Sequence, residues 1–221
     1  MYGLITYIRN VLFDKGILKT QRHNIPILSV GNLKAGGTGK TPFVEYLLRT
    51  FSSSFNIAVV SRGYGRKTKG FFVVKPEGSA ETFGDEPLQM ARKFPEVMFV
   101  VCEDRNYAIK EIEKRNQESV ERNQDSAERN KEINLILLDD AFQHRYTARD
   151  IDILLTEYNR PFFSDKVIPF GLLREYRRGF KRADYIVVTK CPPLNFEDKK
   201  RFVEKLKPRI GQRIFFSNIV Y

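Results

Sequence analysis

Short apolar runs separated by helix-length polar segments recur along most of the chain. Ile25 to Val30, Asn56 to Ser61, Phe71 to Lys75, Val97 to Cys102, Ile133 to Leu138, Ile151 to Leu155 and Tyr185 to Thr189 are rich in Val, Ile, Leu and Phe. Runs of this length predict strands, and their spacing predicts an α/β fold: a mainly parallel sheet with helices on both faces. In such sheets ligands gather where strands end, so the residues after each run are the first candidates for chemistry.

Helical spacing fills the gaps. Phe43, Val44, Leu47, Leu48 and Phe51 form one apolar stripe after the first run. At the start of the chain Leu4, Ile5, Ile8, Val11 and Leu12 recur at helical spacing, with Tyr2 and Tyr7 nearby and Arg9, Lys15 and Lys19 in the same segment. This suits a helix lying in a membrane interface, and equally a helix packed on its own domain. From about 115 to 132 the pattern lapses into the near-repeat RNQESVE, RNQDSAE, RNKE, where Val120 and Ala127 are the only apolar residues of the first two units. With no apolar seam it forms no coiled coil and reads as a polar insertion, a solvated helical extension or mobile loop.

The junction of the first strand and helix carries the strongest chemistry. IPILSVGNLKAGGTGKTPFVE is a strand, a glycine-rich turn and a helix, with Gly39-Lys40-Thr41 at the join. Gly36, Gly37 and Gly39 let successive amide N–H groups converge on phosphate oxygens at a helix N-terminus. Lys40 supplies a cation for the outer phosphates and Thr41 a hydroxyl for Mg²⁺. The strict G-x-x-x-x-G-K-[ST] pattern has glycine where this chain has Lys34, so the match is a variant of a P-loop.

Other strand ends supply acids and bases. Asp139 and Asp140 follow Leu135 to Leu138, as a Walker B strand requires for holding Mg²⁺ beside the phosphate loop. In Gly84-Asp85-Glu86-Pro87, Asp85 suits a helix cap, and it also suits a carboxylate that orients and deprotonates a phosphoryl-accepting hydroxyl. Arg62, in SRGYGRK, and Arg174, in GLLRE, can grip phosphate with paired hydrogen bonds or belong to solvated basic loops. His23 and His144 have no metal or triad spacing.

Composition narrows the class. With 221 residues, 42% hydrophobic and 29% charged, the chain has enough for one α/β core and little more. A net charge of +11 points to an anionic substrate, an anionic membrane surface or nucleic acid. No nucleic-acid-binding motif accompanies it, and nucleic-acid binding is not expected. Cys102 and Cys191 form no CxxC pair, consistent with a reducing compartment. No apolar run approaches the ~18 residues of a spanning helix.

Taken in order, SVGNLKAGGTGKTP, SRGYGR, GDEP, EDR, LDDAFQH, PFGLLRE and VVTK resemble the tetraacyldisaccharide 4′-kinase family of lipid A biosynthesis. The resemblance implies a P-loop kinase peripheral to the cytoplasmic side of the bacterial inner membrane. It implies transfer of the ATP γ-phosphoryl group to the 4′-hydroxyl of a tetraacyldisaccharide 1-phosphate, with Mg²⁺; no protein partner is expected. It places Lys34, Ala35, Gly36, Gly37, Thr38, Gly39, Lys40 and Thr41 on ATP phosphates, and Thr41 and Asp139 at the metal. Lys40, Asp85 and Asp140 become catalytic, Asp85 as the base, while Arg62, Arg174 and Glu175 meet substrate, Arg62 on the residue reading alone. The expected domains are an interfacial helix over 1–24, a kinase core over 25–208, and a linker from 209 toward a second lobe.

The chain departs from the family in its insertion, its short N-terminal helix and its end at Tyr221. Family members continue into a smaller lobe with a histidine that partners the GDEP aspartate and residues that help hold adenine. The expectation is therefore an interlobe strand over Gln212 to Tyr221 lacking its partner, and nucleotide binding with weak or absent turnover. A silent nucleotide-binding fragment is the alternative reading. A regulatory ATPase of the DNA-partitioning kind would carry lysine directly before the paired glycines, where this chain has Ala35.

Overall fold

The computed structural model describes residues 2–122 and 132–218. The strands are β1 (Ile27–Asn32), β2 (Ile57–Ser61), β3 (Phe72–Val73), β4 (Met98–Val101), β5 (Leu135–Asp139), β6 (Ile151–Glu157), β7 (Tyr185–Thr189) and β8 (Arg213–Phe216). They form one eight-stranded sheet in the order β3-β4-β2-β5-β1-β6-β7-β8. Every pairing is parallel except β3 with β4, an antiparallel edge. The α/β fold expected from the apolar runs is the one observed.

Continuous apolar runs follow from burial on both faces. Along β5, Leu137 joins a core with Val44, Leu47 and Leu48 of α2 (Lys40–Phe51) and, after α3 (Ala80–Phe83), Leu88 and Met90 of α4 (Asp85–Lys93). Its neighbours Ile136 and Leu138 face the other side, against Ala108, Ile109 and Ile112 of α5 (Arg105–Arg122). Alternate residues point to opposite faces, so a strand covered twice needs an apolar residue at every position.

Two expectations change. The run Phe71 to Lys75 yields only Phe72–Val73, because β3 is an edge strand paired on one side. The segment expected as an unpartnered interlobe strand is instead β8, in register with β7 from Tyr185↔Arg213 to Val188↔Phe216. Ile214 and Phe216 pack beside Val188 and Phe202, the latter on α6 (Phe196–Leu206). The exposed backbone edge of β7 needs a partner, and β8 supplies it. Residues 213–216 therefore belong to the core sheet rather than a linker; residues 219–221 lie outside the described ones. Of the insertion, the part up to Arg122 continues α5, and 123–131 lie outside the described residues.

The N-terminal helix α1 (Tyr2–Asp14) docks on this body. Phe13 is buried with its ring edge-on to Tyr146, 4.9 Å between centroids, and Arg145 pairs with Asp14 at 2.8 Å. Leu4, Ile5 and Ile8 point outward, 58%, 62% and 49% exposed. Among the described residues no helix is long and apolar enough to cross a membrane.

Candidate active site

The site begins with one register. β1 and β5 are neighbours with Val30 opposite Asp139, so the turn leaving β1 and the two aspartates ending β5 emerge side by side. Close approach here depends on Gly31, where a Cβ would lie 2.7 Å from Phe142 Cβ and 2.8 Å from its backbone nitrogen.

The glycine-rich turn is shaped by positive φ at Gly36 (113°) and Gly39 (81°), and α2 starts directly after Gly39. Asn32 at the end of β1 holds the turn from below, donating to Thr38 Oγ1 at 2.6 Å. Ala35 N–H donates to Leu172 O at 2.8 Å. Lys34 is 9% exposed and its ammonium lies 3.2 Å from Asp165 Oδ2. Its charge is thus already matched, which makes Lys34 an anchor between the loop and the 165–174 segment rather than a free phosphate cation.

Lys40 has a different environment. Its Nζ lies 3.5 Å from Asp140 Oδ1, while Arg174 Nη1 donates to Asp140 Oδ2 at 2.8 Å. Asp140 holds a left-handed backbone at φ 49°, uncommon outside glycine and a mark of local strain. One carboxylate thereby positions two cations at the mouth of the loop.

Asp139 stands in a contrasting state. Its Oδ1 is buried with no hydrogen-bond partner among the described residues. Burial, together with the nearby carboxylates of Glu86 and Asp140, pushes its carboxyl up to about 7. Glu86 in turn accepts a hydrogen bond from the Thr41 hydroxyl. Two crowded acids, an orphaned carboxylate oxygen and a hydroxyl are a donor set suited to a hard divalent cation. Among the described residues no group of three or more His, Cys, Asp or Glu side chains could hold a metal by itself.

The other expected residues distribute unevenly. Gly84 caps α4 and Asp85 begins it, lining a cleft of about 370 Å³ with Gly78, Ser79, Leu88, Gln89 and Arg92. Among the described residues no hydrogen bond or ion pair joins Asp85 to the loop; its neighbour Glu86, which pattern reading passed over, makes that contact. Successive helical residues differ in direction by about 100°, so Glu86 takes the position facing Thr41 while Asp85 lines the adjoining cleft. Arg62 is exposed at the end of β2 and lies close enough to repel Arg105, whose pKa is lowered first by burial and then by that neighbouring charge. Arg105 is 5% exposed with an unpartnered Nε, and its field also reaches Asp139 and Asp140.

Glu175 is corrected outright. It is 0% exposed, so it meets no substrate from this position. Arg182 donates to both its oxygens, at 2.8 and 2.9 Å, Asn10 donates to one at 2.6 Å, and Gln143 to the other at 3.3 Å. Gln143 also donates to Asn32 O at 2.8 Å, so this buried carboxylate ties α1 to the base of the phosphate loop. Such a charge persists in the interior only because its lone pairs are satisfied.

A family model for tetraacyldisaccharide-1-P 4′-kinase, LpxK, matches residues 1–215. The chain belongs to this family. The tetraacyldisaccharide 4′-kinase of Flavobacterium johnsoniae is 44% identical over 222 residues, covering 100% of this chain and 61% of the relative. That of Parabacteroides distasonis is 42% identical over 226 residues, covering 100% and 57%. The chain thus spans little more than half the length of these kinases. Among solved structures, LpxK from Aquifex aeolicus in complex with ATP superposes with a TM-score of 0.73 at 28% identity, covering 100% of this chain and 79% of that one.

Proposed function

We propose that this protein is an ATP-dependent kinase that phosphorylates the 4′-hydroxyl of a tetraacyldisaccharide 1-phosphate. The observation that carries the reading is the junction of Lys40, Asp140 and Arg174 at a glycine-rich helix N-terminus, in a chain of the LpxK family. The loop amides of Gly36, Gly37 and Gly39 would bind the ATP phosphates, while the Thr38 N–H is held by Gly36 O, with Lys40 and Arg174 matching the charge of the transferred group. Asp139, Thr41 and Glu86 would hold Mg²⁺ through oxygen and water, and when bound the ion adds charge neutralisation at the β- and γ-phosphates.

Asp85 would accept the proton of the 4′-hydroxyl as the disaccharide enters across the cleft it lines. Arg62, exposed at the end of β2, would attract the anionic acceptor, with the buried Arg105 at the start of α5 adding positive field behind it. The outward Leu4, Ile5 and Ile8 of α1, beside Lys15 and Lys19, would rest in the cytoplasmic face of the inner membrane, where an acylated acceptor resides. The assembled loop, aspartates and Arg174 favour this catalytic reading over a silent nucleotide-binding one.

The test is phosphoryl transfer from Mg²⁺-ATP to detergent-dispersed tetraacyldisaccharide 1-phosphate, read by product mass beside a complete relative. Product is expected, and Asp85→Asn is expected to cut kcat at least about a hundredfold with ATP binding kept. Unchanged turnover in that variant would remove Asp85 as the base.

A further inference from the structure

The phosphate loop is gripped from behind by two residues at the end of β7 that nothing in its pattern requires. Thr189 Oγ1 donates to Thr38 O at 2.9 Å, and Lys190 Nζ donates to Gly37 O at 2.7 Å. Lys190 also pairs with Glu157 at the end of β6, and β6 and β7 are in register there, Glu157 opposite Thr189. We propose that Thr189 and Lys190 are positioning residues for nucleotide binding, a clamp that fixes the carbonyls of the loop so that its amides face the phosphates. This rests on the kinase reading above.

The physical reason lies in the planar peptide. In a trans peptide the C=O and the following N–H point in opposite directions. Tying Thr38 O to the Thr189 hydroxyl turns the Gly39 N–H away from β7, toward the side where α2 begins. Gly39 sits directly over this contact, a Cβ there falling 3.7 Å from Thr189 Cβ and Oγ1. Tying Gly37 O to Lys190 fixes the preceding peptide, whose own N–H donates to Gly36 O at 3.0 Å and closes the turn that carries Gly39. Three glycines make the loop conformationally permissive, so an external tether is what gives it one shape before ligand arrives.

Charge assigns Lys190 to the loop's backbone. Glu157 neutralises its ammonium, and the Nζ donates to a carbonyl. Lys190 takes a left-handed backbone at φ 54°, which turns the chain sharply at the strand end beside the loop. The Thr189 hydroxyl is buried and also reaches Thr156 O at 3.3 Å, so its loss leaves strand-end carbonyls unpaired.

The experiment compares the wild-type chain with Thr189→Val, Thr189→Ser and Lys190→Met. Affinity for a non-hydrolysable ATP analogue with Mg²⁺ is measured by calorimetry, and amide exchange at 36–39 is measured without nucleotide. Thr189→Val and Lys190→Met should each weaken analogue binding roughly tenfold, the span of one hydrogen bond to a loop carbonyl. They should also speed exchange in the loop while exchange in β5 stays unchanged, and Thr189→Ser should restore both readouts. Wild-type affinity in both variants would overturn the clamp alone. A wild-type chain that binds no analogue would overturn the kinase reading and the clamp's purpose together.

Discussion

Arg174 Nη1 lies 2.8 Å from Asp140 Oδ2, and the bond joins the end of β5 to a segment 34 residues further along the chain. It leaves Asp140 shared between Arg174 and Lys40, so neither cation is fully neutralised and both stay directed at the mouth of the loop. A lone lysine facing a lone aspartate would collapse into a closed pair.

Arg174→Ala should therefore slow phosphoryl transfer by at least about tenfold, because Lys40 is then drawn onto Asp140. Arg174→Lys should rescue little, since the planar fork is lost. Steady-state kcat from product mass decides it, and a wild-type rate in Arg174→Ala would dismiss the shared-carboxylate account.

Removing Glu175 should cost stability before anything else. Glu175→Ala strands Arg182 in the interior beside Phe142, where breaking a buried pair costs about 3–5 kcal/mol. Urea unfolding at pH 7 measures this, and a loss below about 1 kcal/mol would mean that Arg182 finds water.

His144 should make the fold acid-sensitive. Burial first, and then the nearby Arg105, lowers its pKa from 6.5 to about 4, and its Nε2 is buried without a partner among the described residues. The unfolded chain takes up this proton first as pH falls, so the contribution of His144 is complete above about 6.5 and lost between there and about 4. Each tenfold difference in proton affinity between the folded and unfolded chain is worth roughly 1.4 kcal/mol; discounted for solvent screening, ~1–3 kcal/mol is at stake. His144→Gln should flatten this part of the stability profile in urea melts at about pH 7 and about pH 4.5. Parallel profiles in the two proteins would contradict the assignment.

Gly31→Ala tests the close approach of β1 to the chain after Asp140. A methyl group within 2.8 Å of the Phe142 backbone cannot be absorbed by a rotamer change, and overpacking of this kind costs about 1–3 kcal/mol. Because the displaced backbone carries Asp140, nucleotide affinity should fall as well. A variant with normal melting and normal binding would show that the strand can retreat.

The sequence alone determined the sheet's strands and its phosphate loop, because both are written in neighbouring residues. A strand buried on both faces must be apolar throughout, and Ile133 to Leu138 shows it; a helix-capping phosphate turn needs its glycines and Lys40 within a few positions. Tertiary structure decided what depends on distant partners. Lys34 and Glu175 look like free charges in the chain and are claimed by Asp165 and Arg182. Glu86, one residue from the expected Asp85, reaches Thr41 only through the placement of α4 against α2. β8 could not be read as a core strand from four residues, because its reason to exist is the open edge of β7. Periodicity is local and survives in a one-dimensional string, whereas charge compensation and edge pairing are set by groups that only folding brings within a few ångströms.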